Sequence, residues 1–273
     1  MKTILAKYSG FCSGVERSAK FTQNNCYRRP IYTWGPLIHN DQFVNHLAKL
    51  GIKKTENFNT IKNATVIVRS HGIKKGDMKK IKNLAYEVID GTCPNVTRVQ
   101  NLASKLESEG NDIVIYGDPM HPEIIGIKSY VRKPYIISSI SEIKLLPDFN
   151  KPIIISQTTQ SIDGFTKISK KLKSRYPNLQ IFNTICNATE LRQNSAKSLS
   201  KKVDMMIVIG GKKSSNTKKL FEVCKKTVPT HLIETVHDLQ KNLFKNINIV
   251  GVTAGASTPD WIIKEVLDYI NKI

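Results

Sequence analysis

Three cysteines sit in turns that lead into helix-like segments: Cys12 in Gly-Phe-Cys-Ser-Gly-Val, Cys93 in Asp-Gly-Thr-Cys-Pro, and Cys186 in Ile-Cys-Asn-Ala-Thr. A thiol placed there meets backbone N–H groups and the positive end of a helix dipole, which favour the thiolate. Three converging thiolates repel one another unless a cation compensates, so these residues raise the question of a shared metal. Zinc in a structural site takes four ligands, and its signatures carry close cysteine pairs that this chain lacks. A four-iron cluster on three thiolates would keep one iron open as Lewis acid and electron source. Plain structural thiols are the third reading. Cys26 and Cys224 have no such context and read as packing residues.

The other chemistry-bearing residues fall in polar loops just after strand-like runs. His39, His71 and His121 each lie beside Gly or Pro, and Thr158, Thr159, Ser214, Ser215, Asn216 and Ser257 occupy comparable places. Imidazole N–H groups, hydroxyls and an amide on glycine-rich backbone make a donor set suited to a phosphate or diphosphate. Glu123 follows His121 and Pro122; burial there would raise its pKa and make it a proton donor. Asp118 is the other carboxylate of that loop.

Spacing ties the two sets together. His39 follows Cys12 by 27 residues, His121 follows Cys93 by 28, and Ser214 follows Cys186 by 28. The second loops, at His71, Thr158 and Ser257, follow 59, 65 and 71 residues after the same cysteines. Apolar runs such as 65–68, 112–116, 152–156 and 205–209 read as strands, with helices between them, including one from about 15 to 25. Further strands are expected at 3–8 and 247–252. The pattern is α/β: three small α/β domains, 1–93 with Cys12, 94–185 following Cys93, and 186–273 with Cys186. In open α/β sheets ligands gather beyond the carboxyl ends of strands, so a pseudo-threefold arrangement would aim all these loops at one centre.

Bulk properties narrow the class. The chain has 273 residues and a formal charge of +20, from 42 Lys and Arg against 22 Asp and Glu. The charge is spread along the chain and forms no basic stripe interleaved with aromatics, which argues against a nucleic-acid binder. It suits steering of an anionic substrate or an acidic electron donor. Five cysteines with no Cys-x-x-Cys pair do not form a secreted disulfide framework. The stretch 1–11 is too short for the apolar core of a signal peptide, and no run would span a bilayer, so a cytoplasmic protein with no membrane partner is expected.

The motifs resemble one family from end to end. Gly-Phe-Cys-Ser-Gly-Val at 10–15, Ile-His-Asn at 38–40, Ser-His-Gly at 70–72, Thr-Cys-Pro at 92–94 and His-Pro-Glu at 121–123 are similar to 4-hydroxy-3-methylbut-2-enyl diphosphate reductases. So are Gln-Thr-Thr at 157–159, Ile-Cys-Asn-Ala-Thr at 185–189, Ser-Ser-Asn at 214–216 and Gly-Val-Thr-Ala-Gly-Ala-Ser at 251–257. The resemblance implies one 4Fe–4S cluster per chain on Cys12, Cys93 and Cys186, in an oxidoreductase that acts last in the non-mevalonate isoprenoid pathway. It implies that His39, His71, His121, Ser214, Ser215, Asn216 and Ser257 bind the substrate diphosphate, with Thr158 and Glu123 near the allylic hydroxyl. That hydroxyl would leave as water, taking two electrons and two protons, to give isopentenyl and dimethylallyl diphosphates. A ferredoxin or flavodoxin would supply the electrons. The rival enzyme reading is a cluster-dependent dehydratase, which would need no reductant.

Overall fold

The structure, a computed structural model, describes residues 1–23 and 29–273. In chain order the elements are β1 (Lys2–Leu5), α1 (Ser13–Gln23), β2 (Ile31–Trp34), α2 (Asp41–Lys49), β3 (Lys53–Thr55), β4 (Thr65–Val68), α3 (Lys75–Leu84) and β5 (Glu87–Asp90). Then come α4 (Pro94–Ser108), β6 (Asp112–Tyr116), α5 (Pro122–Lys128), β7 (Tyr135–Ile137), β8 (Pro152–Ser156), α6 (Ile162–Arg175) and β9 (Gln180–Ile181). The last part holds α7 (Asn187–Ser200), β10 (Met205–Ile209), α8 (Ser215–Lys225), β11 (Thr230–Ile233), β12 (Ile249–Ala254) and α9 (Asp260–Asn271). Cys26, and Asn24 and Asn25 where the first helix is expected to end, lie outside the described residues.

Among the described residues the strands form three four-stranded parallel sheets, ordered β1-β12-β10-β11, β5-β4-β2-β3 and β9-β8-β6-β7. The α/β class is therefore as the sequence predicts. The central strands explain why the sheets are parallel and covered on both faces: β4, β8 and β10 are buried along their whole length and read as near-continuous apolar runs. Alternation along the strands divides the side chains between two layers. In β6 and β8, Val114 and Ile154 pack with Phe165, Ile168 and Leu172 of α6. Ile113, Ile115, Ile153 and Ile155 face the opposite layer, with Val99 and Ala103 of α4 and Ile124 and Ile127 of α5. The edges are short or polar, as in the Lys-Lys-Thr of β3 and the Gln-Ile of β9, which discourages further strand pairing.

The chain divides into two compact bodies. One comprises Met1–Glu16, Ile38–His46 and Asn187–Ile273, the other Arg17–Leu37 and Leu47–Cys186. The first body holds the β1-β12-β10-β11 sheet; the second holds the other two sheets. The segment 1–93 is thus not confined to one sheet. Its first strand pairs with β12, from Lys2 opposite Ile249 to Leu5 opposite Val252, and Ala6 packs with Met206, Val208, Leu199 and Leu220.

The repeat survives, with its phase shifted. Each sheet has an edge strand that runs into a cysteine turn (β1, β5, β9), then a strand ending in the Ser257, His71 or Thr158 loop (β12, β4, β8). Next lies a strand that precedes the Ser214, His39 or His121 loop (β10, β2, β6). In two repeats a helix joins the second strand to the cysteine strand: α3 between β4 and β5, and α6 between β8 and β9. The third repeat has α9 after β12 and takes its cysteine strand from the N-terminus. No helix of the described residues is long and apolar enough to cross a membrane.

This phase makes a permutation test. A chain in which a short Gly/Ser linker joins residue 273 to residue 1, reopened at the exposed Glu109-Gly110 turn, should fold and melt within a few degrees of the parent. Failure of that permutant to fold would contradict the assignment of β1 to the third repeat.

Candidate active site

Each cysteine turn is built in the same way. The Cys12 amide donates to the Ala256 carbonyl (3.2 Å), the Cys93 amide to the Ser70 carbonyl (2.9 Å), and the Cys186 amide to the Thr158 carbonyl (2.9 Å). These bonds clip each thiol-bearing turn to the polar loop of the neighbouring strand in the same sheet. The pairing therefore differs from the spacing pattern: the loop holding His71 belongs with Cys93, that of Thr158 with Cys186, and that of Ser257 with Cys12. The three thiols are half-buried and form no disulfide, whereas Cys224 is buried in an apolar core where desolvation pushes its thiol up to about 12. Cys224 is a packing residue, as expected.

Helices start at these turns for local reasons. Cys93 caps α4, its carbonyl accepting from the Thr97 amide at 3.0 Å, and Pro94 fills the first helical position, where no N–H is needed. The Cys12 carbonyl accepts from Glu16 (2.8 Å) and opens α1. Gly10 makes the approach to Cys12 possible, because its φ of +78° is left-handed and a Cβ there would come within 2.9 Å of Ile263 Cδ1.

In the second body, Glu123, Thr158, His71 and His121 come together. Glu123 lies in the first turn of α5, not in an open loop, because Pro122 starts the helix directly after the His121 cap. It is 1% exposed. The Thr158 amide donates to Glu123 Oε1 at 2.6 Å, and the Thr158 hydroxyl bonds Oε2 at 2.9 Å. Burial pushes the Glu123 pKa up to about 7, against the opposing pull of the two Thr158 hydrogen bonds. His121 Nδ1 accepts from the Glu123 amide (3.2 Å), which places the proton of the neutral ring on Nε2. The His71 and His121 rings meet edge to face with centroids 5.5 Å apart. Asp118 stays outside this group: its carboxylate is exposed and accepts from the Met120 amide (2.9 Å) within its own turn.

In the first body, His39, Ser214, Asn216 and Ser257 are assembled. Ser257 Oγ donates to the His39 carbonyl (3.3 Å), and Gly211 lies so close that a Cβ would come within 2.4 Å of that oxygen. Ser214 caps α8 by accepting from the Thr217 amide (3.3 Å), and Ser215, half-buried, opens the helix. Asn216 is buried, yet neither its Oδ1 nor its Nδ2 has a hydrogen-bond partner among the described residues. A buried amide left in that state costs stability, so this orphaned pair marks a place shaped for a polar ligand. Thr159, also in the polar set, accepts from Gln157 Nε2 at 2.8 Å.

Two residues at the cysteine turns were not among the expected site residues. Asn95, in the first turn of α4, donates from Nδ2 to Cys186 Sγ at 3.1 Å and so brings the Cys93 and Cys186 turns together within the second body. Arg192 is buried, and its guanidinium donates to the carbonyls of Gly10 (2.8 Å) and Phe11 (3.0 Å), just before Cys12, and of Ala188 (2.9 Å), just after Cys186. The sequence held a signal for Arg192: it stands as a cation within the buried stripe of α7 formed by Thr189, Gln193, Ala196 and Leu199.

Comparison with known proteins places the chain. The LytB protein family matches residues 3–271. A relative from Alkaliphilus oremlandii named 4-hydroxy-3-methylbut-2-enyl diphosphate reductase is 43% identical, with both chains covered in full. One of the same name from Campylobacter hominis is 46% identical over 99% of each chain. The solved structure of the E-1-hydroxy-2-methyl-but-2-enyl-4-diphosphate reductase from Plasmodium falciparum is similar at a TM-score of 0.93, with 31% identity over 99% of this chain and 87% of that one. A second solved structure, of an (E)-4-hydroxy-3-methyl-but-2-enyl diphosphate reductase described as the terminal enzyme of the non-mevalonate pathway, is 38% identical with a TM-score of 0.75, covering both chains in full. With its motifs in order and its length matched throughout, this chain belongs to the LytB protein family.

Proposed function

We propose that this chain reduces 4-hydroxy-3-methylbut-2-enyl diphosphate, removing its allylic hydroxyl as water with two electrons and two protons to give isopentenyl and dimethylallyl diphosphates. The observation that carries this reading is the buried Glu123–Thr158 pair, joined through the Thr158 carbonyl to the Cys186 amide. A proton store thereby adjoins the turn that carries Cys186, a cluster ligand on this reading, in a chain 43–46% identical to relatives bearing that reductase name.

The donor set fits an iron–sulfur cluster. Cys12, Cys93 and Cys186 are half-buried thiols at helix starts, with their amides engaged, and the fourth described cysteine is sealed in a core. Three thiolates suit a four-iron, four-sulfide cluster with one iron lacking a protein thiolate. Zinc has no redox chemistry and could not carry the electrons that a reductase needs. When bound, the cluster supplies electrons one at a time and a Lewis-acidic iron to polarise the hydroxyl.

The side chains do the rest. On this reading His39, His71, His121, Ser214, Ser215, Asn216 and Ser257 donate hydrogen bonds to the diphosphate, and Asn216 Nδ2, which has no partner among the described residues, gains an acceptor. Glu123 provides a proton through the Thr158 hydroxyl. At neutral pH a carboxyl with a pKa of about 7 is about half protonated and still acidic enough to give its proton up. His121 acts as substrate donor and as the cap that fixes the Glu123 backbone. Electrons come from outside the chain, and the positive charge of +20 suits an acidic ferredoxin or flavodoxin.

Four outcomes are expected. Protein prepared without oxygen should contain about four irons and four sulfides per chain, and a content near one metal ion would contradict the cluster. Glu123→Gln can keep both hydrogen bonds to Thr158, so it should retain iron and diphosphate affinity while turnover falls by about 10²-fold or more; a wild-type rate would remove Glu123 from the proton path. Because the protonated carboxyl is the active form, the wild-type rate should fall as pH rises above about 7. Thr158→Val removes a hydrogen bond that lowers the Glu123 pKa, so its carboxyl band in infrared titration should disappear at a higher pH than in the parent. A downward shift would contradict the assigned bond.

A further inference from the structure

The Cys93 turn has an outer face that the chemistry above does not use. Thr92 and Pro94, its two neighbours, line a surface pocket of about 520 Å³ together with Arg17, Asp90, Thr97 and Arg98. Both arginines are exposed. Arg17 is held in place: its guanidinium donates to the Thr92 carbonyl (3.2 Å) and lies 4.8 Å from the centre of the Phe21 ring. The pocket's one carboxylate, Asp90, is engaged with the backbone, accepting from the Thr92 amide at 2.9 Å. Exposed Lys20 lies one turn beyond Arg17 on α1, and exposed Lys105 two turns beyond Arg98 on α4. The chain has 8 arginines against 34 lysines, and two of those 8 line this one pocket. Arginine is the residue that binds carboxylates in a fixed two-pronged geometry.

We propose that this basic pocket beside Cys93 is the docking surface for the acidic iron–sulfur protein that delivers electrons to the enzyme. The inference rests on the reductase reading above. A reductase of this kind takes two electrons from outside, and a protein carrier must bring its own centre close to the acceptor. Thr92 and Pro94, which line this pocket, flank Cys93, a cluster ligand on that reading. Carboxylates of the carrier would pair with Arg17 and Arg98, while the overall positive charge speeds encounter. Each docking event oxidises the carrier by one electron and reduces the cluster by one. Two such events, with two protons, balance the loss of the hydroxyl as water.

The test compares two reductants on cluster-loaded enzyme: a reduced, acidic 2Fe–2S ferredoxin and reduced methyl viologen, a small molecule that needs no docking surface. Arg98→Glu should raise the KM for ferredoxin roughly tenfold or more and flatten its salt dependence. Its viologen-driven rate should stay within about twofold of wild type. Lys264→Glu, an equal change of charge on exposed α9, should leave both rates within about twofold. An unchanged ferredoxin KM in Arg98→Glu, or an equal effect of Lys264→Glu, would overturn the docking site and leave the reductase reading standing. Loss of viologen-driven turnover in Arg98→Glu would also overturn it, since the pocket would then be serving the chemistry. Wild-type enzyme that fails to turn over with viologen would overturn the reductase reading, and the docking site with it.

Discussion

Three backbone hydrogen bonds set the terms for the rest of the molecule. The amides of Cys12, Cys93 and Cys186 donate to carbonyls of the adjacent polar loops, and so each thiol's position is fixed relative to a histidine, threonine or serine by main chain alone. Side chains can then vary without moving the thiols. The sheets supply the frame for these bonds: each edge strand ends beside a fully or mostly buried inner strand, so turn and loop leave the sheet at the same end. Buried apolar strands with helices on both faces make that frame stiff, and small residues such as Gly10 and Gly211 let the backbones approach where a side chain would collide.

On that frame one costly group is placed. Glu123 is desolvated, and a pKa of about 7 against an ordinary 4.5 corresponds to about 3 kcal/mol opposing its ionisation. The folded state keeps this proton longer than the unfolded chain does. The associated stability is therefore fully present below pH 4.5 and is lost as pH rises through about 7. A sequence optimised only for stability would not keep such a carboxyl, and the two Thr158 bonds compensate for its burial only in part. Asn216, buried with both amide atoms unpartnered among the described residues, is a second departure of the same kind. Such departures are expected where a site is built for a ligand, not for its own stability.

The sequence made the cysteine turns and polar loops legible because Gly, Pro and Cys mark them, and the inner strands legible because they are near-continuous apolar runs. The strands 65–68, 112–116, 152–156 and 205–209 occur where the pattern predicts. Edge strands such as β3 and β9 were not legible, since two or three residues are too few to show a period. The phase of the repeat was hidden for a different reason. Spacing along the chain is the same whether a cysteine opens a repeat or closes the one before it, and only the pairing of β1 with β12 decides the matter. Asn95 and Arg192 act through contacts 91 and 182 residues apart in the chain, which no local pattern reports.

The proposed chemistry rests on a metal centre with one iron open to substrate. Mössbauer spectra of ⁵⁷Fe-loaded protein, recorded with and without 4-hydroxy-3-methylbut-2-enyl diphosphate, test this directly. About a quarter of the iron should form a distinct component, and that component alone should shift when the diphosphate is added. Four equivalent irons, or a spectrum indifferent to the substrate, would contradict it.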